Sequence, residues 1–287
     1  MAFRAVISGA SSGLGLALAK HYLKQGAVVG IMARRAHLLQ ALVEQFPHQI
    51  HCYPLDVRDT AAMQAAAQDF IARAGVPDLV IANAGVSVGT LTEYSDDLSV
   101  FQSVLDTNVL GTVKTFQPFL AAMRDAALSS NSSDGTTSHS TRPSQNDGQV
   151  AGYPTKGRGE RFTLVGIASV AGFRGLPGGG AYSASKAAVI SYLESLRVEL
   201  RGSGVRVITI CPGYVQTPMT AVNPYPMPFI LSPDEAARRI ARSIASGKSF
   251  AVIPWQMGLV GRVIKLLPNW LYDLLFSKAP HKPRGVI

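Results

Sequence analysis

Three side chains in the stretch "IASVAGFRGLPGGGAYSASKAAV" have the chemistry to move a proton to and from an oxygen atom: Ser169, Tyr182 thirteen residues later, and Lys186 four beyond it. On a helix, Tyr182 and Lys186 lie one turn apart, so the ammonium can stand near the phenol. A free tyrosine titrates near ~10, and each unit of depression needs about 1.4 kcal/mol in favour of the phenolate. A neighbouring cation acts in that direction. Tyr182 would then serve as acid toward a carbonyl and as base toward an alcohol. Ser169 would hydrogen-bond the same oxygen and stabilise its developing charge.

Such a trio needs a partner to supply the rest of the reaction, and "SGASSGLG", Ser8 to Gly15, offers a place for one. The run "RAVIS", glycines, "LGLALAKHYLKQG" reads as strand, tight turn, helix. Gly9, Gly13 and Gly15 would let a pyrophosphate approach without Cβ clashes, beside Ser11, Ser12, Leu14 and the positive end of the helix dipole. Gly9 to Gly13 also satisfies G-x-S-x-G, the turn that presents a hydrolase serine. That reading needs strands before the turn for an oxyanion hole, then an acid and a histidine after it. Here the turn follows the first strand, and far downstream only His139 and His281 remain. The phosphate reading is therefore preferred.

After the second strand, dinucleotide folds carry an acid for the ribose 2′-hydroxyl or an arginine for a 2′-phosphate. "GIMARRAHLL" puts Arg34 and Arg35 there, and no carboxylate occurs between Gly13 and Glu44. NADP(H) is expected over NAD(H).

With the Ser, Tyr, Lys spacing and the glycine turn both in place, the chain resembles the classical short-chain dehydrogenase/reductase family, in its NADP(H)-preferring branch. The resemblance covers about 4–254, apart from an insertion. It implies a single doubly wound Rossmann-type α/β domain, a seven-stranded parallel sheet ordered 3-2-1-4-5-6-7 with helices on both faces. It also implies hydride transfer between the nicotinamide and a ketone, aldehyde or secondary alcohol, with Ser169, Tyr182 and Lys186 catalytic and the oxidised nicotinamide helping to depress Tyr182. Asp56 and Val57 of "LDV" match the pair that contacts adenine. Asn83, Ala84 and Gly85 match the turn closing the fourth strand, with Ala82 replacing the usual first Asn. Asn108 of "DTNVLGT" stands where the family's fourth catalytic residue holds a water that relays protons to Lys186. Pro212, Gly213, Val215 and Thr217 of "CPGYVQTPM" match the segment bordering the nicotinamide, and Tyr182 and Lys186 also touch the cofactor. Ser8 replaces the customary Thr and keeps its hydroxyl. The glycine spacing separates the chain from the extended, epimerase-like relatives.

The elements that must position these residues are legible as seven short apolar runs, "RAVIS", "AVVGIMA", "IHCYPL", "DLVIANA", "FTLVGIAS", "VRVITIC" and "FAVIP". Nearly unbroken hydrophobicity is expected of strands buried on both faces. Helical patterns alternate with them: 14–25, 36–46, 60–74, a long region over 96–128, and 182–201. A further helix opens at Ser232, with Pro233 at its first position, Glu235 closing a capping box and Gly247 as its stop. The segment 129–159, rich in Ser, Thr, Gly, Asn and Pro, reads as a flexible surface insertion.

Composition bounds the rest. The 287 residues are 47% hydrophobic and 16% charged, and mean hydropathy is +0.18, as in ordinary soluble domains. The net charge of +9 favours anionic partners, but no basic stripe interleaved with aromatics argues for nucleic acid. Only Cys52 and Cys211 occur, which excludes a disulfide framework and a Cys-rich metal site and suits a cytoplasmic setting. "MAFRAVISGA" leaves no room for a secretory signal, and six prolines within 207–233 break the longest uncharged run, so no membrane span is expected.

The segment "YVQTPMTAVNPYPMPFILS" corresponds to the family's substrate lid. It is apolar and carries no Lys or Arg, which favours a lipophilic carbonyl or alcohol over a carboxylate-bearing one. Residues 255–287 form an extension read as one amphipathic helix with a basic tail. Gln256, Arg262, Lys265 and Asn269 fall on one face, and Leu259, Val260, Val263, Ile264 and Leu267 on the other. That face would roof the active site, join a partner in a homo-oligomer, or lie peripherally on an acidic membrane with the tail outward. The rival to an enzyme is a dinucleotide-binding sensor or scaffold that keeps the fold without the chemistry.

Overall fold

The computed structural model describes residues 2–133 and 161–285. Seven strands, β1 (Arg4–Ser8), β2 (Val28–Met32), β3 (Ile50–Tyr53), β4 (Leu79–Ala82), β5 (Phe162–Ile167), β6 (Val205–Pro212) and β7 (Phe250–Ile253), form one parallel sheet in the order β3-β2-β1-β4-β5-β6-β7. The chain order reverses between β1 and β4, so a crevice opens beyond the carboxyl ends of those two strands.

Helices cover both faces: α1 (Gly13–Leu23), α2 (Gln40–Gln45), α3 (Thr60–Ala74), α4 (Asp97–Leu105), α5 (Gly111–Ser133), α6 (Gly180–Glu199), α7 (Pro218–Ala221), α8 (Pro233–Ala245), α9 (Trp255–Leu266) and α10 (Asn269–Phe276). Alternate strand residues feed two cores. Ile7, Ile31 and Ile208 pack with Leu18 of α1 and Ile240 of α8. Val6, Val80 and Leu164 pack with Phe70 of α3, Phe119 of α5 and Leu193 of α6. Burial on both faces is the reason the five inner strands read as nearly unbroken apolar runs.

Several boundaries differ from expectation. The helix expected over 36–46 is a 3-10 turn (Ala36–Leu39) followed by the short α2, which ends before Pro47, whose ring disfavours helix at Phe46. The long region over 96–128 is α4 and α5 joined by a π-helical turn, Asp106–Leu110. Helix α5 reaches Ser133, so residues 129–133 of the expected insertion are helical, and the remainder, 134–159, His139 included, lies outside the described residues. Ser232 caps α8 by accepting from the Glu235 N–H at 3.3 Å, but the Glu235 carboxylate turns to Arg238 and Arg239 instead of closing the box. Two arginines within one turn outcompete a single backbone N–H.

The carboxyl-terminal extension is two helices. Leu267 is extended and Pro268 starts a new turn, because proline removes a helical donor and restricts the residue before it. Asn269 therefore leaves the expected polar face and accepts from Arg174 Nη2 at 2.9 Å. Cys52 on β3 and Cys211 on β6 are both free, with four strands between them.

Candidate active site

The crevice at the carboxyl ends of β1 and β4 is a cavity of ≈ 540 Å³. Its floor is the glycine turn. Gly9 has φ +68°, and a Cβ there would lie 2.6 Å from Ala84 Cα. A Cβ on Gly15 would lie 2.4 Å from both the Gly9 carbonyl oxygen and Asn83 Nδ2. The close approach is fastened by hydrogen bonds. Ser8 Oγ accepts from the N–H groups of Asn83 (3.2 Å) and Ala84 (3.3 Å), and Asn83 Nδ2 donates to the carbonyls of Ser8 and Gly9, both at 3.1 Å. Ser12 precedes α1 in extended conformation with no capping bond from its side chain, and the first turn holds no acid. The amino end of α1 thus keeps its positive field for an anion.

The rim beside β2 is basic. Arg35 Nη2 donates to Ser12 Oγ at 3.3 Å, and the half-exposed Arg34 lies 3.9 Å from Asp56. Asp56 itself is held by Arg58, through Nη2 at 2.8 Å, Nε at 3.1 Å and the backbone N–H at 2.9 Å. Hydrogen bonds from Arg58 keep the Asp56 carboxyl below the ordinary carboxylate range.

At the other end, Ser169 follows β5 and opens a 3-10 turn, its Oγ accepting from the Ala171 N–H at 3.1 Å. Tyr182 and Lys186 project from the first turns of α6. The Lys186 ammonium donates to the Ile167 carbonyl at 2.8 Å and stands 5.8 Å from the centre of the Tyr182 ring. Burial pushes the Tyr182 phenol above its ordinary range, and a hydrogen bond with the Ser169 hydroxyl pulls it partly back. Burial also lowers Lys186 to about 8. In the protein alone the Tyr182 phenol is thus raised, against the depression expected from its lysine, because desolvating a phenolate outweighs the Ser169 hydrogen bond.

Asn108 sits in the π turn, fully buried. Its Oδ1 accepts from the Val86 N–H at 2.8 Å, and its Nδ2 donates to the Val86 carbonyl at 3.0 Å and to Ser185 Oγ at 2.9 Å. It stands outside the cavity wall, which Thr107 reaches instead. Gly85, which lines the cavity, packs against it: a Cβ there would lie 3.2 Å from Asn108 Oδ1 and 3.6 Å from Lys186 Nζ.

Val86, Val88, Val215, Pro218 and Met219 give the end near Ser169 an apolar lining. The lid carries no basic side chain, yet the tail brings one to it. Lys282 Nζ donates to the Met219 carbonyl at 3.0 Å and to Ser87 Oγ at 3.2 Å. Arg284 pairs with Asp97 at 2.8 Å. The tail therefore lies along the body instead of pointing outward, since these partners satisfy its charges there.

A family model described as short chain dehydrogenase matches residues 4–132 and 153–225. An uncharacterized oxidoreductase of Myxococcus xanthus is 36% identical over 277 residues, covering 95% of this chain and 96% of the relative. The chain is a short-chain dehydrogenase. Solved structures agree on the fold. A short-chain dehydrogenase from Burkholderia cenocepacia in complex with NADP superposes with a TM-score of 0.73 at 21% identity, covering 97% of this chain and 98% of that one. A 3-ketoacyl-(acyl-carrier-protein) reductase from Brucella melitensis complexed with NADH gives 0.70 at 21% identity, covering 88% and 96%.

The family uses a nicotinamide dinucleotide, and in this short-chain dehydrogenase the glycine turn, Gly9, Gly13 and Gly15, lines the cavity, while the close packing of Gly9 and Gly15 on Ala84 and Asn83 leaves no space for side chains there. Of the residues assigned to catalysis or cofactor binding from the sequence, every one except Asn108 lines this cavity. Two contributors escape sequence reading. Arg58 follows Asp56 by two residues and reads as a solvated charge. Lys282 sits 195 residues from Ser87, and no local pattern links them.

Proposed function

We propose that this short-chain dehydrogenase moves a hydride between NADP(H) and a lipophilic ketone, aldehyde or secondary alcohol. The observation that carries this reading is one continuous cavity with Arg34, Arg35 and Ser12 at one end and Ser169, Tyr182 and Lys186 at the other. The glycine turn and the amino end of α1 would hold the pyrophosphate, and the two arginines a 2′-phosphate. Asp56 and Val57 would flank the adenine, and Pro212, Gly213, Val215 and Thr217 the nicotinamide. The bound nicotinamide supplies or accepts the hydride.

The chain's own residues handle the proton and the charge. Tyr182 stays protonated at neutral pH, which is the form a carbonyl needs from its acid. The Ser169 hydroxyl donates to the same substrate oxygen as negative charge gathers on it. Lys186, fixed on the Ile167 carbonyl, sets its positive charge beside Tyr182 and stabilises the phenolate left after transfer. Asn108 holds Val86 and thereby the wall over Lys186, a positioning part. The apolar lining near Ser169 supports a lipophilic substrate, and the free thiols Cys52 and Cys211 suit a reducing, cytoplasmic setting.

The test is a panel of lipophilic ketones, ketoacyl thioesters and alcohols offered with NADPH, NADH and their oxidised forms, followed by nicotinamide absorbance. Turnover with an apolar carbonyl and NADPH is expected. Tight dinucleotide binding with no turnover of any carbonyl would favour the sensor reading instead.

A further inference from the structure

Helices α9 and α10 are apolar on two sides, and only one side is used. On the inner side Met257 and Gly261 are buried, and a Cβ on Gly261 would lie 2.3 Å from the Phe173 ring. Arg174 locks the pair in place, donating to the carbonyls of Ile264 (2.8 Å) and Leu267 (2.6 Å), its guanidinium 4.0 Å from the centre of the Tyr272 ring. The Tyr272 hydroxyl donates to the Gly175 carbonyl. The outer side has no such partner among the described residues. Trp255, Leu259 and Leu266 on α9 are 70%, 58% and 82% exposed, and Trp270 and Leu274 on α10 are 69% and 71% exposed. Their spacing of four or seven residues puts each set on one helical stripe.

We infer that this outer face docks on an anionic lipid bilayer. Single exposed apolar residues need no explanation, but a stripe of large ones with both of the chain's tryptophans on it does. Tryptophan favours the boundary between headgroups and acyl chains. Charge selects lipid over a second copy. The groove beside Trp255 is lined by Arg239, Arg242 and Lys248. On α9, α10 and the residues after them, Arg262, Lys265 and Lys278 are exposed against one acid, Asp273, whereas Lys282 and Arg284 are held on the body by Met219, Ser87 and Asp97. Two such faces pressed together would repel, whereas anionic headgroups complement them. With 12 and 8 residues, the helices are too short to cross a bilayer and would lie in its surface. Both are anchored on the segment 173–175 that follows Ser169, so the lipid would meet the protein at the end of the sheet where the cavity opens.

The inference rests on this face and not on the chemistry proposed above, and its test reads binding alone. Because the tryptophans are Trp255 and Trp270, intrinsic fluorescence of the full chain reports on the face without a label. Vesicles of equal parts phosphatidylcholine and phosphatidylglycerol should blue-shift the emission, shield it from acrylamide and let brominated acyl chains quench it. Phosphatidylcholine alone should do so far less. Leu266→Gln with Leu274→Gln, both at exposed positions, should cut partitioning about tenfold or more with circular dichroism unchanged. Arg242→Ala with Lys248→Ala should weaken binding to the anionic vesicles only. Emission and acrylamide quenching unchanged by anionic vesicles would overturn the inference. So would a sedimentation mass showing self-association that the double glutamine variant abolishes, which would assign the face to a second copy.

Discussion

Lys282 Nζ and Ser87 Oγ, 195 residues apart in sequence, meet at 3.2 Å, and the same ammonium reaches the Met219 carbonyl at 3.0 Å. Ser87 and Met219 both line the cavity, so the tail ties the loop after β4 to the lid.

Removing that tie should loosen the lid. Lys282→Met deletes both hydrogen bonds, each worth about 0.5–1.5 kcal/mol net, and keeps the aliphatic stem. Steady-state kinetics should show KM for the carbonyl rising several-fold with kcat changed less. An unaltered KM would mean the lid is held without the tail.

Tyr182→Phe keeps the ring and deletes the proton. The rate should fall by about 10²–10⁴-fold, the usual worth of a positioned acid, while dinucleotide affinity measured by fluorescence titration stays nearly unchanged. Full activity would remove Tyr182 from the mechanism.

Lys186, lowered by burial to about 8, is charged below that pH and neutral above it. Carbonyl reduction should therefore decline as pH rises through about 8, and Lys186→Met should erase that limb from the pH profile. The stability sign runs the other way. An unfolded lysine keeps its proton up to its ordinary value of 10.5, so between about 8 and 10.5 the unfolded chain binds more protons and folding gains with pH. Thermal melts across that window should rise for the native chain and lie flatter for Lys186→Met.

Arg34→Asp should move preference from NADP(H) toward NAD(H). The change removes a guanidinium from the rim and places a carboxylate near Asp56, now 3.9 Å from the Arg34 side chain. Losing a charge-assisted contact of about 1.5–3 kcal/mol should lower kcat/KM with NADPH by about tenfold or more. Equal losses with both cofactors would show that Arg34 does not read the 2′ position.

What the sequence made legible and what it hid divide along sequence separation. The five inner strands stood out because burial on both faces leaves a nearly unbroken apolar run in each, and the partly exposed edge strands β3 and β7 by their short apolar runs. Tyr182 and Lys186 stood out because one helical turn fixes their relation. Arg34 and Arg35 needed only their place after β2. The hidden parts depend on partners far away. Asn108 looks like a cleft residue by its motif, but the π turn and the loop at Val86 commit its amide elsewhere. The rise of Tyr182 depends on how deeply the fold buries a phenol, which no spacing encodes. The tail lies along the body because Met219, Ser87 and Asp97 meet it there, and the break at Leu267–Pro268 undid the single face drawn through Asn269.

The glycine turn offers a paired test of close packing against chain entropy. At Gly15 an added Cβ would meet the Gly9 carbonyl and Asn83 Nδ2 at 2.4 Å, groups already fixed by the bonds joining Asn83 to Ser8 and Gly9. Gly15→Ala must therefore push β4 from the turn, costing about 1–3 kcal/mol as overpacking does and spoiling the floor on which a pyrophosphate would rest. At Gly180, the exposed first residue of α6, nothing lies within 4 Å of a Cβ. Gly180→Ala should stabilise the chain by about 0.4–1 kcal/mol through the unfolded state. Thermal melts with dinucleotide titration should show Gly15→Ala losing both stability and affinity and Gly180→Ala gaining the first and keeping the second. If Gly15→Ala bound dinucleotide as tightly as the native chain, the turn would not be the cofactor's floor.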